Sequence, residues 1–294
     1  MFDRIFANYL VETGKLSSQN VEVIISTKEE RRARLGVIAV SEKVLTIDQA
    51  EEINQLQALY DKRFGDIAID NGYLSREQVD RLLDLQGNPF LTFTQSIIDH
   101  GCLTMDEINS ALDSYQKENA LTLGDMENLK SCEIEKIIPI FLFKQPEYLV
   151  SLSGVFLRTL YRLVDYRVYI KKPYITNEFP YDYISMQELF GEHVILTSVS
   201  GDRDAMQQTA IGFAGAEYIN TEEDSLDALC ELINCVNGMF ATRMSQEDVD
   251  LDMKVPEFHS QPGTLSSQSL LCIPVVIFDH EITIALSLDN EYSV

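Results

Sequence analysis

The sequence predicts an α+β protein in which an all-helical repeat array precedes a mixed domain of long helices on a mostly antiparallel sheet. Three observations carry this expectation. Leu16, Leu45, Leu74 and Leu103 recur 29 residues apart, a fixed period that marks stacked supersecondary units. After Val164 the apolar spacing changes from helical to alternating. Two stretches, residues 147–164 and 222–242, are long and amphipathic. The expected organisation is a helical-hairpin repeat domain of four units over 1–117, a helical connector over 118–145, and the α+β domain over 146–294.

Composition narrows the function classes. The 294 residues carry 23 Lys and Arg against 47 Asp and Glu, a net charge of -24, and this field repels the phosphate backbone of nucleic acid. The opening Met1-Phe2-Asp3-Arg4 lacks the basic and apolar regions of a secretory signal, and no apolar run reaches the roughly 18 residues that span a bilayer. A cytoplasmic protein with no membrane partner is expected. Five cysteines (Cys102, Cys132, Cys230, Cys235, Cys272) form no C-x-x-C pair, and the four histidines have no second ligand at metal-like spacing. Neither a disulfide framework nor a metal site is expected, and no cofactor of the protein's own. No serine triad or glycine-rich phosphate loop offers another chemistry.

Each N-terminal unit has the same grammar: a short apolar segment such as Phe64-Gly65-Asp66-Ile67-Ala68-Ile69, a turn at or near glycine, then a Ser or Thr able to cap a helix. Thr46 with Gln49, Ser75 with Gln78 and Thr104 with Glu107 have capping-box spacing, and Ser17 with Asn20 approximates it. The units differ. The second opens Arg34-Leu35-Gly36 and closes at Gln57, and the third opens Arg63-Phe64-Gly65 and closes at Gln86, whereas the outer two lack the Arg and Gly. Atypical terminal repeats explain this as capping.

A ligand explains it as well. The two inner motifs resemble the cyclic di-GMP binding domain of MshE-type secretion and pilus ATPases. That resemblance implies a regulatory cyclic di-GMP site built from Arg34, Gly36, Arg63 and Gly65. An Arg fork suits a phosphodiester and a glycine admits it close to the backbone. Arg31 and Arg32 add a local basic spot. Lys43 stands where the family has its inner glycine, and Ala39 and Ala68 stand where larger aliphatics are common. A structural or partner-docking array is the competing expectation.

In the second half, residues 125–136 read as a moderately polar helix and 147–164 as a packing helix. Residues 166–170 alternate as a strand, and 194–200 and 205–213 read as a hairpin about the turn Gly201-Asp202-Arg203-Asp204. Residues 249–255 and 269–288 give further strands, the last broken at Asp279-His280. Between them lies the helix of 222–242. Its core-facing arc is Leu229, Leu232, Ile233, Val236, Met239 and Phe240, and Asp227, Glu231, Asn234 and Gly238 share the opposite stripe. Gly238 leaves that ridge bare, so another macromolecule can approach the backbone.

The order of strands, a helix bearing Asp227-Ala228-Leu229-Cys230-Glu231-Leu232-Ile233-Asn234-Cys235-Val236-Asn237-Gly238, then Pro256 and a terminal hairpin, resembles the CheX branch of the CheC/CheX/FliY chemotaxis phosphatases. The resemblance implies a bacterial two-component protein that binds a phosphorylated response-regulator receiver domain and hydrolyses its aspartyl phosphate. By position, Asn234 orients the attacking water and Glu231 pairs with the receiver's lysine, while Asp227 and Gly238 lie on the receiver-contacting helix. Mg2+ is supplied by the receiver. A homodimer is also implied; the acidic surface neither requires nor excludes it. Two alternatives stand beside this: a solvated helix face, and a non-catalytic adaptor that docks a receiver and binds cyclic di-GMP or a protein through the repeats. Cys230 and Cys235 are i, i+5 on the helix, too far apart in angle for an intrahelical disulfide.

Overall fold

The computed structural model describes residues 1–28, 33–60 and 63–294; Arg31 and Arg32 lie outside them. The chain divides into two compact units, the first Phe2–Glu133 and the second Ile134–Val294 with Met1. Among the described residues, no helix is long and apolar enough to cross a membrane.

The first unit is helical throughout its described residues: α1 Phe2–Glu12, α2 Ser18–Lys28, α3 Leu35–Ser41, α4 Ile47–Tyr60, α5 Phe64–Asp70, α6 Arg76–Asp84, α7 Pro89–Asp99, α8 Met105–Glu118 and α9 Leu123–Lys130. Helices α1, α3, α5 and α7 end in similar turns. The N–H groups of Lys15 and Leu16 donate to the Leu10 carbonyl, those of Val44 and Leu45 to Ala39, and those of Tyr73 and Leu74 to Ala68, all at 2.8–3.2 Å. Left-handed backbone is needed at each, and Gly14, Gly72 and Gly101 supply it. Lys43 adopts the same conformation (φ 58°) with a Cβ, which costs about 1 kcal/mol. Thr46, Ser75 and Thr104 then cap the following helices, each accepting from the N–H three residues on while Gln49, Gln78 and Glu107 accept from the cap's own N–H. Leu45 and Leu74 are buried just before the caps Thr46 and Ser75, and Leu16 is buried just before Ser17. An aromatic cluster joins α1, α7 and α8, with Phe2 5.3 Å from Phe90 and Tyr9 5.1 Å from Tyr115, ring centre to ring centre.

The expected polar helix of 125–136 is instead α9 and α10 (Ile134–Phe141), which opens the second unit. Cys132, in left-handed backbone at φ 60°, separates them. α11 (Glu147–Leu163) follows as expected, and buries Leu152, Phe156 and Leu160 at helical spacing.

The second unit is built on one nine-stranded antiparallel sheet: β1 Tyr169–Ile170, β2 Tyr174–Tyr181, β3 Tyr183–Gly191, β4 Ile195–Gly201, β5 Leu251–Met253, β6 Glu257–His259, β7 Gly263–Ile277, β8 His280–Leu288 and β9 Tyr292–Ser293. The order is β1-β7-β8-β4-β3-β5, with β2 and β9 also on β7 and β6 also on β3. The tight turn between β7 and β8 falls at Phe278 and Asp279, both at positive φ, the geometry that suits a two-residue hairpin. Phe179, Ile184, Met186, Leu196, Leu265 and Cys272 pack together on one face of the sheet. Helices α11, α12 (Arg203–Ala214) and α13 (Glu222–Ser245) pack on the strands, and α11 and α12 each pack against α13.

Residues 205–213 are not the second strand of a hairpin but the body of α12. Asp202 accepts a hydrogen bond from the Ala205 N–H at 2.8 Å, an N-cap, and Ala205, Met206, Thr209 and Ala210 are buried at helical spacing. β4 pairs instead with β3 and β8. A Cβ at Gly212 would lie 2.6 Å from the Phe278 ring and 2.8 Å from Val164, so only glycine permits this approach of α12.

Candidate active site

The site centres on α13. Thr221 accepts from the Asp224 N–H at 3.0 Å, and Asp224 accepts from the N–H groups of Thr221 at 2.8 Å and Asn220 at 2.9 Å. These backbone donors, Asn220 foremost, hold the Asp224 carboxyl below its ordinary value. Glu222, Glu223 and Asp224 together complement the positive end of the helix dipole. Leu226, Leu229, Leu232, Ile233, Val236 and Phe240 are buried and anchor the helix.

On the other side, Asp227, Glu231 and Cys235 are exposed, and Asn234 and Gly238 are partly so. Met239, expected in the core, is 47% exposed. It follows Cys235 by four residues and so belongs to the ridge. A Cβ at Gly238 would meet only Met253 side-chain atoms, at 3.7 Å or more, so the ridge there is open. Val255, in the segment between β5 and β6, is 87% exposed.

Beneath Asn234 runs a chain of side-chain hydrogen bonds that pattern reading did not anticipate. Thr197 Oγ1 on β4 donates to Asn237 Oδ1 at 2.9 Å, and Asn237 Nδ2 donates to Gln187 Oε1 on β3 at 2.9 Å. Gln187 Nε2 donates to Asn234 Oδ1 at 2.9 Å and to the Lys254 carbonyl at 2.8 Å. Thr197, Gln187 and Asn237 are all buried. Each therefore requires the partner it has, because an unmet polar group at such depth costs about 1–3 kcal/mol. Asn237 was legible in principle: it stands four residues after Ile233 and three before Phe240, a polar residue on the buried arc. Gln187 carried no such signal, since β3 is buried on both faces and lacks alternation.

Nearby, Lys254 Nζ pairs with Glu188 at 2.6 Å and Tyr292 donates to Glu188 at 2.9 Å. Burial pushes the Cys230 thiol up to about 11, and its Sγ donates to the Glu257 carbonyl at 3.5 Å. Among the described residues, no group of three or more His, Cys, Asp or Glu is arranged to hold a metal.

In the first unit, Arg34, Gly36, Arg63 and Gly65 line one cleft of about 510 Å³, with Gln57, Gln86 and Arg76 also on its wall. Arg34 and Arg63 occupy the N-cap positions of α3 and α5. The two glycines have a packing role besides. A Cβ at Gly36 would sit 3.0 Å from the Phe64 ring, and one at Gly65 2.8 Å from Val79.

A helix with an exposed carboxylate and a partly exposed amide one turn apart, laid on an antiparallel sheet, is thus the chemically pointed feature of the second unit. Residues 183–289 match the family model described as Chemotaxis phosphatase CheX, a span from β3 through β8 that contains all of α13. Among solved structures the chain is similar to the chemotaxis protein CheX from Vibrio vulnificus, at 17% identity over 49% of this chain and 99% of that one, TM-score 0.43. It is similar to CheX from Desulfovibrio desulfuricans with the same identity, coverage and score. The CheX–CheY–BeF3–Mg2+ complex from Borrelia burgdorferi matches at 16% identity over 50% of this chain and 99% of that one, TM-score 0.39. No curated protein matches the chain.

Proposed function

We propose that the second unit binds the phosphorylated receiver domain of a response regulator in the cytoplasm and hydrolyses its aspartyl phosphate. The observation that carries this reading is the pairing of exposed Glu231 with the restrained amide of Asn234 on one ridge, inside the span that matches the chemotaxis phosphatase model. An acyl phosphate is already activated, and the receiver brings Mg2+ and a lysine to neutralise the phosphoryl oxygens, so the phosphatase has little to add beyond positioning. Asn234 orients the attacking water in line with phosphorus; an amide donates and accepts at once and does not titrate. Glu231 pairs with the receiver's lysine and sets the register of the helix, and Asp227 and Gly238 border the contact.

Phosphate release from a cognate phosphorylated receiver tests this. Wild type is expected to accelerate decay and Asn234→Ala to return it to the receiver's intrinsic rate. If wild type also decays at that rate, catalysis is excluded and a receiver-docking adaptor takes its place.

For the first unit we propose a regulatory cyclic di-GMP site at the 29-residue repeats, supported by the convergence of Arg34, Gly36, Arg63 and Gly65 on one cleft. Its volume falls within the range of small-molecule sites. Titration calorimetry with cyclic di-GMP is expected to show heat with wild type and none with Arg34→Ala/Arg63→Ala; absence of heat with wild type eliminates the ligand. The homodimer belongs to the same reading, and sedimentation velocity tests it.

A further inference from the structure

We infer that Gln187 is a positioning residue that sets which way round the Asn234 amide faces, and that a main-chain carbonyl sets Gln187 in turn. The consequence for catalysis rests on the phosphatase reading; the geometry does not. The carbonyl oxygen of Lys254 can only accept, so the group of Gln187 at 2.8 Å from it must be the amide nitrogen. That nitrogen has two protons, and the second goes to Asn234 Oδ1 at 2.9 Å. The Gln187 oxygen then faces Asn237 Nδ2, and Asn237 Oδ1 faces the Thr197 hydroxyl. Reversing Gln187 would set its oxygen against the Lys254 carbonyl, and no proton is available there to relieve the contact.

Donation therefore runs one way, from the Thr197 hydroxyl through Asn237 to Gln187, whose amide nitrogen donates both to the Lys254 carbonyl and outward to Asn234 on the ridge. At its end Asn234 turns Oδ1 inward and Nδ2 outward. Among the described residues Nδ2 has no hydrogen-bond partner, and Oδ1 keeps one lone pair beyond the one Gln187 uses. An asparagine without this anchor would present either end of its amide to an incoming water. With it, two donors and one lone pair stand in a fixed arrangement before any partner arrives. Misplacement of a positioning group by about 1 Å is enough to lower a rate about 100-fold, so a turned amide is expected to lower kcat by about 10- to 100-fold.

Side-chain amide hydrogen exchange by NMR on the full chain tests the inference, with Asn234→Ala used to assign the Asn234 signals. In wild type the Gln187 Nε2 protons are expected to be protected and the Asn234 Nδ2 protons to exchange as an exposed amide does. Gln187→Glu replaces two donors by an acceptor, so Asn234 is expected to turn and its Nδ2 protons to slow at least tenfold. Gln187→Met leaves Asn234 unanchored. With a phosphorylated receiver, both variants are expected to lose kcat with KM unchanged, a split that general loosening of the domain would not produce. Unprotected Gln187 protons in wild type, or the same Asn234 exchange in wild type and both folded variants, would overturn the inference. Should wild type fail to hydrolyse any receiver phosphate, the phosphatase reading falls while the exchange data still decide the positioning.

Discussion

Thr197 and Cys235 show how single residues around α13 differ in what they do. Thr197 lies at the inner end of the hydrogen-bond chain, where its hydroxyl is the donor to Asn237 Oδ1. Thr197→Val keeps the shape and strands that oxygen, which is expected to destabilise the second unit by about 1–3 kcal/mol, read as a lower unfolding midpoint by calorimetry. Cys235 is exposed on the ridge, whereas the Cys230 thiol is held up at about 11 by burial and Cys272 likewise. A thiolate is the reactive form, so iodoacetamide at neutral pH is expected to label Cys235 well before Cys230 or Cys272 in the native protein. Equal labelling of the three by mass spectrometry would contradict the burial. At this scale the site was half legible. That Glu231 and Asn234 share one ridge follows from helical spacing, while the roles proposed for them follow from the resemblance. Gln187 follows from neither, because its partners are 47, 50 and 67 residues away along the chain and only the tertiary fold brings them together.

Helix α13 combines a sound N-terminus with a costly interior. Gly238 costs about 0.5–1 kcal/mol relative to alanine in mid-helix, and nothing crowds the position where a methyl would go. Gly238→Ala is therefore expected to raise the unfolding midpoint by about 2–4 °C per kcal/mol gained. If the ridge docks a receiver backbone, the same variant raises KM for the phosphorylated receiver; higher stability with KM unchanged would leave the glycine without a docking role. The cap of α13 brings a pH dependence. Asp224 is held below its ordinary value of 3.8 by backbone donors, so its contribution is complete above that value and disappears as pH falls through the lower folded value. The stability gap between wild type and Asp224→Ala should be constant near neutrality and close below about pH 3.8 in pH-resolved melting curves. A gap unchanged into strong acid would show that the carboxylate is not what caps the helix. Among the elements, caps and long amphipathic helices were legible; α12 was not. Its short residues, Ala205, Thr209, Ala210 and Gly212, carry a weak periodic signal, and the preceding Gly201-Asp202 reads equally well as a turn or as an N-cap.

For the molecule as a whole, the division at Glu133 and Ile134 makes a separable prediction. The second unit contains the entire sheet, α13 and the Gln187 chain. Residues 134–294 produced alone are expected to fold and, under the proposed function, to release phosphate from a phosphorylated receiver at the rate of the full chain, checked by circular dichroism and phosphate release. Any response to cyclic di-GMP should be lost with the first unit, and a truncated chain that still responds would remove the cleft of Arg34 and Arg63 from the account. The sequence by itself determined the helical register of the ridge, the caps before α4, α6 and α8, and the acidic charge, because these depend on neighbours within a few positions. Tertiary structure alone decided that Met239 is exposed, that residues 205–213 are helical, and that the Asn234 amide has a set orientation. Each of those depends on what a distant strand or carbonyl presents, and spacing along the chain does not encode it.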